Sequence, residues 1–341
     1  MVPSSRTEWT MLALLLAALA LLPLVASAYA IELGSYALIM AMLALSLQLL
    51  VGASGIVSLG HAAFYGIAAY TVYLITPEAG GRPIWQTLPA AVAAAAVAAG
   101  VVGVLSLRTR GFFFLMVTLA FGQMVFFLFH DTKLGGGADG AFLSRPTLSL
   151  LGFEWQPTRQ QRPFAIYYLS LALLVAMYLV LVAVLSSLFG QALAGIRVNE
   201  PRMRALGHNT TRLKLIAFII AGALAGVAGH MWAMHRGFVS PELVGWHRSA
   251  ETLLMILLGG IRSLSGPVVG ALVWVGLDEF SQLVTQRRML VEGLVILAIV
   301  LALPNGLMGV FRRPSKPKDM DPDRAPIATP EALISEREPA P

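Results

Sequence analysis

The amino-acid sequence predicts an all-α, polytopic membrane protein with about ten transmembrane helices. Three observations carry that expectation. Of the 341 residues, 57% are hydrophobic and only 12% are charged, against about 25% charged in a soluble domain. Mean hydropathy is +0.75. The apolar residues also fall in runs close to the ~20 that a helix needs to cross a bilayer. Such a composition excludes a disordered chain, a fibrous repeat and an ordinary soluble enzyme.

The runs cover 10–30, 33–51, 56–76, 86–107, 112–130, 163–187, 213–235, 249–261, 265–284 and 289–303. In the first, Arg6 precedes an apolar stretch ending in Ala26-Ser27-Ala28, which resembles a signal-peptidase site. The stretch is long for a leader and holds Pro23, so an uncleaved helix is expected. The run 249–261 is short for a span. It is either a tilted helix extended by its flanks or a re-entrant segment, since irregular backbone at membrane depth survives only inside protein or along a cavity.

Basic residues set the expected orientation. With ten crossings and an inner N-terminus (1–9), thirteen fall inside: Arg6, Arg108, Arg110, Arg197, Arg202, Arg204, Arg212, Lys214, Arg262, Arg312, Arg313, Lys316 and Lys318. Nine fall outside: Arg82, Lys133, Arg145, Arg159, Arg162, Arg236, Arg248, Arg287 and Arg288. The outer count is inflated by the long loop 131–162, and the bias follows the positive-inside rule. The membrane domain is expected over 10–311. The stretch 312–341 is rich in proline, mixed in charge and without apolar periodicity, and reads as a disordered cytoplasmic tail. Its first basic residues could touch anionic lipid, but read more simply as a solvated stop-transfer cluster.

Catalytic chemistry is missing from the sequence. The chain has no cysteine, and therefore no thiolate metal site or cysteine nucleophile. Its lysines are Lys133, Lys214, Lys316 and Lys318, and none sits in a phosphate-cradling G-x-x-x-x-G-K-[ST] loop. H-E-x-x-H and G-x-S-x-G are absent, and the six histidines have no ligand spacing. No nucleic-acid partner and no cofactor of the chain's own are expected. A transporter or channel fits this inventory better than an enzyme.

Four segments carry information. In 188–212, LFGQALAGIRVNEPRMRALGHNTTR, Asn199 can cap a helix whose first turn holds Glu200 and Pro201. Gly207 suits its end, and Asn209-Thr210-Thr211 can cap the next helix. The helix is about two turns, roughly 10 Å long. It is either a rigid basic element that docks on a soluble partner or a solvated loop whose arginines set topology. In 51–76, Ser58, Ala62 and Gly66 recur every fourth residue, as on one face of a close-packed helix, and Gly222/Gly226 and Gly266/Gly270 repeat that spacing. His61 either faces a wet interior or is a neutral histidine bonded to a neighbouring helix.

In 112–130, Thr118 can bond back to its own helix, whereas Gln123 needs an inter-helix partner or a wet pathway. In 259–271, Gly259, Gly260, Gly266 and Pro267 break helix and read as a tight turn at the cytoplasmic face. Glu251, Asp278, Glu279 and Glu292 fall near outer helix ends, as solvated termini rather than a proton relay.

Five blocks resemble, in order, the LivM-type permeases of branched-chain amino acid ATP-binding-cassette importers. They are SLGHAAFYGIAAY (Ser58 to Tyr70), TRGFFFLMVTLAFGQM (Thr109 to Met124), GGADG (Gly136 to Gly140), IRVNEPRMRALGHN (Ile196 to Asn209), and SPELVGWHRSAETLLMILLGG (Ser240 to Gly260) followed by GPVVGA. The likeness runs from about residue 35 to 310. Arg262 stands where the family often has a small residue, and Pro201 interrupts the alanine-rich start of the coupling motif.

This resemblance implies a type II importer-like permease with inverted repeats in the inner membrane, both termini cytoplasmic. It implies a second, LivH-like permease, two ATP-binding subunits that hold the ATP and Mg, and an extracytoplasmic binding protein. Coupling would run through Glu200, Arg202, Arg204, Ala205 and Gly207. On polarity and motif position, Ser58, His61, Tyr65, Thr118 and Gln123 are the expected pathway residues. The implied substrates are leucine, isoleucine and valine, with urea or short amides as the alternative. A carrier or channel without ATPases is the rival from another class.

Overall fold

A computed structural model of the chain describes residues 6–76, 81–144, 147–150, 153–155, 158, 160–284, 288–302 and 306–311. Each of the ten apolar runs forms a helix. In chain order the helices are α1 (Arg6–Val25), α2 (Ala28–Gln48), α3 (Ala62–Ile75), α4 (Ile84–Ser106), α5 (Phe112–Asp131), α6 (Arg162–Ser186), α7 (Leu188–Val198), α8 (Glu200–Ala205), α9 (Thr210–Arg236), α10 (Trp246–Gly259), α11 (Gly266–Val284), α12 (Arg288–Ala302) and α13 (Leu307–Phe311). Among the described residues, five stretches are long and apolar enough to cross a membrane by themselves: Ala28–Ser54, Ile84–Ser106, Phe112–Asp131, Arg162–Ser186 and Thr210–Arg236. The expected tail, 312–341, lies outside the described residues.

Helix α2 is the hub. Its sequence is apolar all round, which marks a helix buried on every side. From residue 37 to 54 it is accordingly buried throughout, and it packs against α6, α9, α10 and α11. Ser27 caps it, its Oγ accepting from Ala30 N at 3.3 Å. Helix α1 leans on α6, where the Tyr167 and Tyr168 hydroxyls donate to the Leu19 and Ala20 carbonyls at 2.7 and 3.2 Å. Small residues bring α4 and α9 together. A Cβ on Gly222 would lie 2.3 Å from Ala99 Cβ, and one on Gly226 2.8 Å from Ala95 Cβ. Gly270 likewise sits against the Met255 carbonyl, so α10 and α11 form a tight antiparallel hairpin. Close backbone approach through small residues is how membrane helices gain dispersion contacts without a hydrophobic drive between them.

Two findings differ from the sequence reading. Ser58, Ala62 and Gly66 do not share a helix face. Helix α2 ends in a π-helical turn, Leu49–Ser54, closed by Gly55 at φ 71°. The chain then runs without helix until α3 begins at Ala62, leaving Ser58 outside it. Within that stretch the backbone crosses α5: a Cβ on Gly60 would come 2.1 Å from the Thr118 carbonyl oxygen. Gly66 faces Val244, at the end of a short 3-10 helix (Pro241–Val244), rather than another long helix. The second difference concerns the 260–265 turn, which is not exposed at a face. Gly260, Ser263, Leu264 and Ser265 are buried and only Arg262 is exposed. Gln48 Nε2 donates to the Ile261 and Ser263 carbonyls at 2.6 and 3.2 Å, and Gly306 closes over Gly260.

The connections sort to two ends of the bundle. At one end, 54–57, 107–112 and 196–214 surround a common cavity. At the other, a strand β1 (Ala141–Phe142) pairs antiparallel with β4 (Phe238–Val239), while β2 (Leu148–Leu150) and β3 (Phe153–Trp155) form a hairpin. Thr147 ties that hairpin to the start of α4, accepting from Ile84 N and donating to the Arg82 carbonyl at 3.0 Å each. The GGADG block works at this end: a Cβ on Gly140 would meet the Val239 carbonyl at 2.3 Å, so only glycine allows the β1–β4 contact.

Candidate functional site

The segment 188–212 folds as two helices rather than one. Leu188–Val198 forms α7 directly after α6, capped by Ser187, whose Oγ accepts from Gly190 N at 3.4 Å. Its inner face buries Leu193 and Ile196, and Arg197 Nη1 donates to the Gly52 carbonyl in the π-helical turn of α2. This ties the segment to the central helix.

Helix α8 has the predicted punctuation. Asn199 Oδ1 accepts from Arg202 N at 3.0 Å, Pro201 occupies the first turn, and Gly207 leaves the helix at φ 85°. The Gly207 and His208 amides close on the Arg204 and Met203 carbonyls at 2.9 and 3.1 Å. Asn209 then caps α9, accepting from Arg212 N at 3.0 Å.

Glu200 locks α8 to α9. Its Oε1 accepts from Arg204 Nη2 at 2.6 Å and from Thr210 Oγ1 at 3.1 Å, and its Oε2 accepts from Lys214 Nζ at 2.7 Å. Arg204 Nε also donates to Thr210 Oγ1 at 3.0 Å. Partial burial opposes ionisation of Glu200. The hydrogen bonds from Lys214 and Arg204 outweigh it and hold the carboxyl at about 2. Glu200 is therefore turned inward, whereas Arg202, Arg204, Ala205, Leu206 and Gly207 are exposed. Of five residues expected to couple, Glu200 and its partner Arg204 fix the helix, and all but Glu200 are exposed.

Of the expected pathway residues, Ser58 and His61 precede α3, Tyr65 lies on α3 against Trp232 of α9, and Thr118 and Gln123 lie on α5, which Gly60 touches at Thr118. Ser58, His61, Tyr65 and Thr118 are fully buried and Gln123 is half-buried. His61 Nε2 lies 2.8 Å from Ser46 Oγ on α2. Ser46 spends its only proton on the Leu43 carbonyl at 2.7 Å, so His61 donates through Nε2. The histidine is thus bonded to a neighbouring helix. Thr118 bonds back to the Leu115 carbonyl at 3.0 Å. Ser58 Oγ, His61 Nδ1 and Tyr65 Oη are buried and make no hydrogen bond to another described protein group, so each is open to a water or a ligand. Two short helices of 14 residues each, α3 and α10, about 21 Å long at 1.5 Å per residue, touch here. The Ser249 hydroxyl of α10 accepts from Ala62 N at the start of α3 at 2.9 Å. Broken helices of this kind carry binding sites in transporters.

A second polar cluster was missed in the sequence. On α10, Arg248 Nη1 donates to Glu251 Oε2 at 2.7 Å and to Tyr36 Oη on α2 at 3.2 Å. Trp232 of α9 lies beneath the Arg248 and Arg236 guanidinium groups at 5.9 and 5.5 Å, and Tyr36 and Tyr65 meet it edge-on at 5.8 and 6.2 Å. The i,i+3 spacing of Arg248 and Glu251 at the head of an apolar run was the available signal. Glu251 is thus half-buried and ion-paired rather than a solvated helix end. Glu279, also half-buried, accepts from the exposed Tyr29 hydroxyl at 2.6 Å.

Comparison with known proteins fits this architecture. The family described as the permease component of the branched-chain amino acid transport system matches residues 29–303. The chain belongs to that family. It is 32% identical to the high-affinity branched-chain amino acid transport permease LivM of Escherichia coli K12, over 87% of this chain and 74% of that protein. Identity to LivM of Salmonella typhimurium is also 32%, over 85% and 72%. A shorter match reaches LivH of E. coli K12, 30% identical over 30% of this permease and 34% of that one. No solved structure matches. Membership agrees with the apolar spans: this permease is a multi-pass membrane protein and a transport component, not an enzyme.

Proposed function

We propose that this permease is one of two membrane subunits of an ATP-binding-cassette importer that moves branched-chain amino acids across the inner membrane. The other membrane subunit is LivH-like. The relatives are named for that transport, and the chain has no phosphate-binding loop of its own. Energy therefore comes from two ATP-binding partners that hold ATP and Mg. The single observation that carries the reading is α8. It is a short helix, capped at both ends and bolted to α9 by Glu200, and its outer edge is exposed. A rigid strut of this kind transmits motion from a soluble partner, where a loose loop would absorb it.

In this reading Arg202, Ala205, Leu206 and Gly207 meet the ATPase, and Glu200 and Arg204 hold them in place. Both termini and α8 lie in the cytoplasm. The opposite end, built from 131–144, 147–150, 153–155 and 236–245, receives the substrate-binding protein. Substrate passes beside Ser58, His61, Tyr65, Thr118 and Gln123, near the Arg248–Glu251 pair.

Reconstitution with the LivH-like permease, both ATPases and the binding protein tests this. ATP-dependent uptake of leucine or valine is expected, and it is lost in Gly207→Val with the protein still in the membrane. Uptake by this chain alone, or uptake of urea or an amide in place of leucine, would refute the assignment.

A further inference from the structure

We propose that the cavity behind α8 is a binding site for a phosphate-bearing anion, occupied by the headgroup of an anionic phospholipid. The cavity, about 940 Å³, opens between the α4–α5 turn, the end of the π-helical turn of α2, and the α7–α8 segment. Its wall holds Arg108, Arg110, Arg197, Arg204 and Lys214 against one carboxylate, Glu200. That carboxylate is already committed to Arg204 and Lys214. Among the described residues Arg108, Arg110 and Arg197 have no acidic partner, so the cavity keeps an uncompensated positive field. Arginine forks suit phosphate oxygens, which they can bind in bidentate fashion.

The setting favours a lipid over a soluble anion. The cavity lies where α4 ends and α5 begins, at the level where a membrane helix leaves the hydrocarbon. Its other walls are apolar, including Ile56, Val104, Phe112 and Leu115. Val104 and Phe112 are 49% and 71% exposed, a surface on which an acyl chain can lie while the headgroup enters. Basic pockets between membrane helices at this level take anionic headgroups. Because Glu200, Arg204 and Lys214 both line the cavity and lock α8, occupancy would bear on the mobility of α8.

The test uses the full-length protein and compares retention of phosphatidylglycerol, phosphatidylcholine and inorganic phosphate by native mass spectrometry. Phosphatidylglycerol is expected to be retained over phosphatidylcholine and to survive millimolar phosphate. In the exposed double variant Arg108→Gln/Arg110→Gln its retention should fall about 30-fold, the scale set by removing two cations from an anionic headgroup. Phosphatidylcholine should be unaffected, which separates the effect from misfolding. Displacement by inorganic phosphate would keep the anion site but assign it to the free ion. Equal retention of the two lipids, or an unchanged double variant, would overturn the site. So would protection of Arg108 and Arg110 from phenylglyoxal by the ATPase subunits but by no phospholipid, which would make the occupant a protein.

Discussion

Glu200 and Gly60 show how single residues fix this architecture. Glu200 accepts from three donors on two helices, and its carboxyl is held at about 2 rather than at its ordinary 4.5. A group whose folded value is depressed stabilises the folded form above its ordinary value and stops doing so as pH falls through the folded one. The α8–α9 lock should therefore be intact above pH 4.5 and loosen between there and pH 2. A spin label at Leu206→Cys, the only thiol in a chain without cysteine, should gain mobility across that window. In Glu200→Gln it should already be mobile at pH 7, and equal mobility in both proteins would disprove the lock. Gly60 acts through space rather than charge. An added Cβ would meet backbone, the Thr118 carbonyl oxygen at 2.1 Å, which no rotamer change can relieve. Gly60→Ala should cost about 1–3 kcal/mol or more, as overpacking does, and lower the thermal midpoint of the purified protein. Gly207→Ala meets nothing within 4 Å and should act only through backbone strain at φ 85°.

At the scale of elements, what sequence could and could not reveal follows from range. Local chemistry was legible. Asn199, Pro201 and Gly207 punctuate α8 and Asn209 caps α9 as read, because caps depend on neighbours within four residues. Asn199→Ala should therefore cost about 1 kcal/mol of α8 stability, visible as faster amide exchange over Glu200–Ala205 with α9 unchanged. Features set by distant backbone were not legible. Helix α7 was hidden because LFGQALAGIRV follows α6 without polar punctuation beyond Ser186 and Ser187. The break before α3 was hidden because Ser58, Ala62 and Gly66 keep helical spacing, and the crossing of Gly60 over α5 is a contact with distant backbone. Burial of the 260–265 turn depends on Gln48, more than two hundred residues away in sequence. The Arg248–Trp232–Tyr36 cluster draws on three helices, so no single segment announces it.

At the scale of the whole molecule, the arginine count and the fold constrain the same thing by independent routes. Alternating crossings assign 51–56, 107–112 and 187–213 to one side, and the fold brings these connections around one cavity. The same alternation sends 131–162 and 235–249 to the other side, where β1 pairs with β4. Relative sidedness is thus a property of the fold, and its absolute sense rests on the positive-inside bias. Two single-cysteine variants decide it. Leu206→Cys and Phe142→Cys replace side chains that are 69% and 85% exposed, so neither should disturb folding. In intact spheroplasts a membrane-impermeant maleimide should label Phe142→Cys and spare Leu206→Cys until the membrane is permeabilised. Labelling of Leu206→Cys from outside would invert the molecule and remove α8 from reach of any cytoplasmic ATPase. Labelling of both from one side would contradict the arrangement of the ten helices, because an odd number of crossings separates residue 142 from residue 206 only if α6 spans the membrane alone between them.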